Sequence, residues 1–297
     1  MDINKKLKIT FFGTSEFAVN ILNELKTSGA CLSGRQGLTS PLISLNLIVT
    51  APDKPAGRKL VITSPPIKIW ADKNNIPTLQ PEKLDEKFIN KLKSQDWDLF
   101  IVSAYGKIIP QSILNLPKYG TLNVHPSLLP KYRGATPIHS AILAGERETG
   151  VSIILLDEKM DHGLIVAQEK ITLWKNSLDE MPTESQLEKT LAQVSEKLLG
   201  SLASKWIKGE IKAVEQDHNQ ATFCKKLKSD DALIDLDGNA KENFLKIQAF
   251  DKWPKAHFFQ NEKRMIIKKA RLENDELIID RVVPEGGQET DYSNLLK

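Results

Sequence analysis

Short apolar runs bounded by glycine or polar residues dominate the first two thirds of the chain, and strict alternation appears only near its end. Leu7 to Phe12 reads as a buried strand ending at Gly13, after which Phe17, Ile21, Leu22 and Leu25 recur at helical spacing behind a Thr14-Ser15 cap. Leu42 to Val49, Trp97 to Ser103 and Gly120 to His125 are further apolar strands, separated by helical stretches of the length that parallel crossovers require. Val151 to Asp157 and Ile165 to Leu173 extend the sheet, and Glu184 to Ile207 keeps helical periodicity throughout. This is the pattern of a doubly wound, Rossmann-like α/β domain. Beyond it Lys208 to Thr222 is polar and aperiodic, as a linker is, and from Phe223 the segments become short. Arg264 to Leu272 and Leu277 to Val283 alternate around the polar turn Glu273-Asn274-Asp275-Glu276, which predicts a small, oligonucleotide-binding-like β-barrel. The expected division is therefore 1–205, a linker at 206–222, and 223–297.

Composition narrows the class without naming a function. With 297 residues, 40% hydrophobic and 27% charged, the chain is expected to fold as two globular domains. A net charge of +3 means that any polyanion footprint is local. Cys31 and Cys224 stand far apart without metal spacing, and His139, His162, His218 and His257 have no partners at ligand spacing, so no metal is expected. The start, Met1-Asp2-Ile3-Asn4-Lys5-Lys6, has no apolar signal region, and no run is long enough to span a bilayer, which points to the cytoplasm and no membrane partner. Gly13-Thr14-Ser15 at a helix start lacks the remaining glycines of a dinucleotide site.

The candidate chemistry lies at the end of the fourth predicted strand. Residues i and i+2 of a strand share a face, and a residue before proline is held extended, so Asn123 and His125, before Pro126, point the same way. Ligands of open α/β sheets bind outside the carboxyl ends of the strands, where this pair sits. An amide can donate to an oxygen on which charge develops and an imidazole can move a proton near neutral pH, the two demands of acyl transfer. A carboxylate at Asp161 would hold the imidazole. Spacing alone leaves open a turn asparagine and a satisfied core histidine. Lys54, Arg58, Lys59, Lys68 and Lys73 concentrate charge after the second strand, where a solvated loop is the plainer reading of the residues by themselves.

Asn123, His125, the run Ser127-Leu128-Leu129-Pro130 and Asp161 resemble the signature of formyltransferases that use 10-formyltetrahydrofolate. Phe12 to Ala18, Pro52 to Arg58 and Tyr132 to Ile138 resemble the branch acting on methionyl-tRNA, as do Glu215-Gln216-Asp217, Ala221-Thr222-Phe223 and Ala249 to Pro254. The resemblance implies formyl transfer to the α-amine of initiator methionyl-tRNA for translation initiation. Asn123 would stabilise the intermediate, His125 would relay the proton and Asp161 would hold the ring. It implies a folate wall at Ser127, Leu128, Leu129 and Pro130 and a tRNA acceptor-end contact at Lys54, Arg58 and Lys59, while Phe100 to Ile108, containing Ala104-Tyr105-Gly106, is expected to add to the same pocket because it follows the adjacent strand. A monomer binding tRNA and folate is expected. Three departures stand out: Gly29 to Pro41 looks inserted, the second domain looks shortened in its middle strands, and His162 replaces the small hydroxyl residue usual after the aspartate. The rivals are a formyltransferase for amino sugar nucleotides, a formyl-folate hydrolase, and a nucleic-acid-binding module with a retired site.

Overall fold

The computed structural model describes residues 7–27, 43–57 and 60–296. The expectations for the Gly29 to Pro41 stretch, for Cys31, and for Arg58 and Lys59 as tRNA contacts lie outside the described residues. Two compact units are present, each gathered from separate stretches: Met1–Arg133 with Val151–Glu169 and Leu191–Thr222, and Gly134–Gly150 with Lys170–Thr190 and Phe223–Lys297.

The chain opens with β1 (Leu7–Gly13), α1 (Glu16–Thr27) and β2 (Ile43–Val49). It continues through a hairpin, β3 (Lys54–Ala56) and β4 (Val61–Thr63), to α2 (Pro66–Lys73), β5 (Thr78–Leu79), α3 (Glu86–Lys93) and β6 (Leu99–Ser103). After α4 (Gln111–Leu114) come β7 (Thr121–His125), α5 (Pro137–Leu143), β8 (Glu148–Leu155), β9 (Leu164–Thr172) and α6 (Glu184–Ile207). The seven-stranded sheet runs in the order β5-β2-β1-β6-β7-β8-β9. From β5 to β7 the pairings are parallel, and β8 then lies antiparallel to β7. Apolar periodicity carries no direction, so that reversal had no sequence signal. The strand order changes sense between β1 and β6, which opens the crevice where such sheets take ligands.

Burial explains the local choices. All but one residue of β1 is buried, as expected for a strand covered on both faces. Phe17, Ala18, Ile21, Leu22 and Leu25 make the inward stripe of α1. At the strand-to-helix corner Gly13 is required by space: a Cβ would stand 2.8 Å from both the Ala18 Cβ and the Phe11 ring. Phe12, Phe100, Trp97, Tyr105, Leu92 and Val102 centre one core layer, with the Phe12 ring 5.2 Å from Phe100 and edge-on to Tyr105. The Asp85 side chain caps α3 by accepting from Phe88 N at 3.1 Å.

The second unit contains α5, α7 (Ala240–Ala249) and an antiparallel meander of β10 (His257–Gln260), β11 (Lys263–Glu273), β12 (Glu276–Pro284) and β13 (Thr290–Asp291). Helix α7 buries Phe244, Leu245 and Ile247 and packs on α5, β11 and β12. Asn274 and Asp275, both at positive φ, make the tight turn between β11 and β12, the twist-matched hairpin geometry that these two residue types tolerate. In the described residues the expected small β-rich domain is a four-stranded antiparallel sheet backed by a helix. A register shift around Lys269 leaves Lys268 and Lys269 both exposed, which interrupts the alternation expected for this strand.

Candidate active site

Strand β7 ends at His125, and the expected pairing of Asn123 and His125 is present, with both side chains buried. The loop after β8 returns Asp161 to them. Asn123 Nδ2 donates to Asp161 Oδ1 at 3.2 Å, and His125 Nδ1 lies 3.7 Å from the same oxygen. The other ring nitrogen, Nε2, is 2.9 Å from the Tyr132 carbonyl oxygen. A carbonyl only accepts, so Nε2 carries a hydrogen and Nδ1 is the nitrogen left to exchange a proton on the carboxylate side. The amide of Asn123 has a second N–H beyond the one spent on Asp161.

Backbone conformation makes this convergence possible. Asp161 sits at φ 48° and Tyr132 at φ 61°, the left-handed region that costs an ordinary residue energy and that recurs at functional sites. Gly163 completes the Asp161-His162-Gly163 corner, since a Cβ there would fall 1.9 Å from the Leu155 carbonyl oxygen. Only glycine lets the loop fold back against the end of β8.

The Ser127 to Pro130 segment alternates: Ser127 and Leu129 are buried, Leu128 and Pro130 half-buried. Its inner side is anchored by Ser152, whose hydroxyl donates to the Ser127 carbonyl at 2.6 Å and accepts from Leu129 N at 3.0 Å. Gln168 Nε2 donates to the Leu129 carbonyl at 2.9 Å. Ser127 Oγ is committed to the Lys131 carbonyl at 2.7 Å. Tyr105 is buried in the neighbouring core layer, and burial pushes its phenol up to about 12. Of the three residues expected at the tRNA, Lys54 is described and exposed on β3. The stretch read as a loop is a hairpin, paired Lys54 to Thr63 and Ala56 to Val61, with Gly57 at φ 69° in its turn. Its partner strand, Val61-Ile62-Thr63, is β-branched throughout, the signal that could have revealed it. Burial first, and then the Lys54 charge, hold Lys107 below the usual lysine range while its ammonium donates to the Pro81 and Glu82 carbonyls.

Sequence reasoning assigned no role to the residues that brace the site. Gln216 and Thr222 lie in the stretch read as a linker. The Thr222 hydroxyl accepts from Tyr132 N at 2.8 Å, its carbonyl accepts from Arg133 N at 2.8 Å, and its own N–H donates to the Pro130 carbonyl at 3.3 Å. Gln216 and Arg133 are both buried. A buried polar side chain inside an aperiodic polar stretch leaves no trace in hydropathy; the motifs containing these two residues were visible, their contacts were not. His162 stacks on His218 with ring centroids 4.0 Å apart, and its Nδ1 is 2.7 Å from Asp157 Oδ2. Among the described residues, no group of three or more His, Cys, Asp or Glu is disposed to hold a metal, and no helix is long and apolar enough to cross a membrane.

Comparison with known proteins shows the family. A family profile described as "Formyl transferase" matches residues 7–201, and one described as "Formyl transferase, C-terminal domain" matches residues 226–289. Methionyl-tRNA formyltransferase of Halalkalibacterium halodurans is 38% identical over 262 residues, 88% of this chain and 77% of that protein. The solved methionyl-tRNA formyltransferase of Clostridium thermocellum superposes with a TM-score of 0.60 at 16% identity, covering 96% of this chain and 99% of that one. An N-formyltransferase from Helicobacter canadensis, solved with folinic acid and dTDP-3-aminofucose, gives a TM-score of 0.62 at 18% identity, covering 90% and 88%.

Proposed function

This chain belongs to the formyl transferase family, and from that premise we propose that it transfers a formyl group from 10-formyltetrahydrofolate to the α-amine of initiator methionyl-tRNA, for translation initiation. The observation that carries the reading is the single carboxylate oxygen of Asp161 placed 3.2 Å from the Asn123 amide and 3.7 Å from His125 Nδ1. In the reaction the amine nitrogen bonds to the formyl carbon and the carbonyl oxygen becomes an oxyanion. The second N–H of Asn123 donates to that oxygen. His125 accepts the proton lost by the amine and delivers it to the folate nitrogen as the carbon–nitrogen bond to the folate breaks. Asp161 offsets the positive charge that the ring carries between those events.

The folate wall is assigned to Ser127, Leu128, Leu129 and Pro130. With Ser127 Oγ and the Leu129 backbone bonded inward, the half-buried faces of Leu128 and Pro130 are the surfaces left to meet a ring system. The tRNA acceptor end is assigned to Lys54, which β3 carries, and to Arg58 and Lys59. Residues 1–205 act as the catalytic domain, 206–222 connect it, and 223–297 form a tRNA-holding domain. The protein works as a cytoplasmic monomer without a metal. A formyl-transfer assay with 10-formyltetrahydrofolate, offering methionyl-tRNA and an amino sugar nucleotide in parallel, tests the assignment. Product on the tRNA is expected, and product on the sugar alone overturns it.

A further inference from the structure

Asp161 makes its contacts from a left-handed backbone position on a loop of eight residues, between Leu155 and Leu164, and something must keep that loop from relaxing. The required contacts come from Gln216. Its Nε2 donates to the Asp161 carbonyl at 2.9 Å and to the Gly163 carbonyl at 2.7 Å, using both hydrogens of the amide to close the corner on either side of His162. Its Oε1 in turn accepts from Arg133, from Nε at 3.3 Å and from NH2 at 2.7 Å. That fork settles which end of the amide points at the loop, because a guanidinium only donates. NH2 of Arg133 also meets His218 Nδ1 at 2.8 Å, and His218 stacks on His162. Arg133 follows Tyr132, the residue whose carbonyl holds His125. One buried chain of contacts thus runs from the carbonyl that fixes the imidazole to the loop that fixes the carboxylate.

We infer that Gln216 and Arg133 are positioning residues for the formyl-transfer step, clamping the Asp161 loop so that its carboxylate meets Asn123 and His125. The inference rests on the catalytic reading of Asp161 given above. A change of about 1 Å in such a contact can cost a hundredfold in rate, while substrate binding elsewhere is untouched.

The test compares Gln216→Ala, Gln216→Glu, Asp161→Asn and the double variant Gln216→Ala/Asp161→Asn, each in the full chain with its melting temperature recorded. Glutamate keeps the size and gains an ion pair with Arg133, but it places oxygen where the two loop carbonyls need a donor. A clamp therefore predicts that both Gln216 variants lose tenfold or more in kcat, with KM for methionyl-tRNA and for the folate within twofold, and that their pH-rate profiles move toward that of Asp161→Asn. The double variant should be no slower than Asp161→Asn alone. A merely structural glutamine predicts the contrary, a Gln216→Glu protein that is well folded and fully active, and that result overturns the inference. So does a loss that multiplies with that of Asp161→Asn, which would place Gln216 on another route. If Asp161→Asn is itself fully active, the catalytic reading fails, and the clamp with it; an inactive Asp161→Asn beside an active Gln216→Ala removes the clamp alone.

Discussion

In the mechanism proposed above, His125 and Asn123 divide the work of a formyl transfer between a group that moves a proton and a group that holds an oxyanion, and each already has a fixed partner in the structure, the Tyr132 carbonyl and Asp161 respectively. Replacing either by alanine should lower kcat by about 10² or more, the usual share of a general acid-base group or an oxyanion donor, while folate binding survives. Steady-state kinetics with equilibrium folate titration checks this, and near-normal turnover excludes the residue from the mechanism. A different pair decides pH behaviour in the second unit. His139 Nε2, half-buried, lies 3.6 Å from Oε2 of the buried Glu184; burial pushes Glu184 up to about 7 from 4.5 and His139 down to about 4 from 6.5. The raised acid contributes stability that is present below 4.5 and is lost as pH rises toward 7. The lowered histidine contributes stability that is present above 6.5 and is lost as pH falls toward 4. The two slopes oppose each other through the overlap. Glu184→Gln removes the first and keeps the second, so the variant should gain on the parent steadily from pH 4.5 to 7, by up to about 3 kcal/mol. Thermal melts across that range would show it, and parallel curves for the two proteins would rule it out.

At the scale of elements, the hairpin of β3 and β4 holds Lys54, one of the residues assigned to tRNA, on a paired scaffold, with Leu60, Val61 and Ile62 exposed along its second half. A phosphate contact releases counterions when it forms. Alanine at Lys54 and Arg58 together should therefore lower kcat/KM for methionyl-tRNA and flatten its dependence on salt by roughly one unit of slope for each phosphate that is no longer neutralised, with folate affinity unchanged. Loss of folate binding with normal tRNA kinetics would instead assign the hairpin to the co-substrate. The same scale shows why a helix is easier to read than a sheet. Glu184–Ile207 matched its expected span to the residue, because its 3.6-residue period repeats over many turns. Strand β8 began three residues before the expected Val151 and ran the opposite way, because a short apolar run marks neither its own ends nor its direction.

Across the whole molecule, neither unit is a continuous stretch of chain. Helix α5 contributes Ile138, Ala141 and Ile142 to the unit that also holds α7 and the meander. Cutting the chain before Phe223 removes α7 from that unit and uncovers the apolar face of α5. The truncated protein should melt several degrees lower and bind a hydrophobic dye that the full chain does not. Scanning calorimetry with dye titration measures both, and an unchanged melting temperature without dye uptake would show that α5 needs no cover. Substituting the exposed Lys268 and Lys269 by alanine leaves this core alone and is the cleaner probe of tRNA holding. It should raise KM for tRNA more than it lowers kcat.

The sequence by itself determined the α/β class, the β-rich tail, and the placement of Asn123 and His125 on one strand face. Each of these follows from a short-range rule: a period of two or 3.6, a proline restricting the residue before it, glycine ending a run. Resemblance, itself local motif matching, tied Asp161 to that pair and added the family. Tertiary structure alone decided which buried polar groups meet. That Tyr132 offers its carbonyl to His125, that Ser152 anchors the Ser127 to Pro130 segment, and that Gln216 reaches the Asp161 loop across 55 residues are outcomes of packing. A buried donor must find an acceptor, but sequence spacing does not say where that acceptor will be.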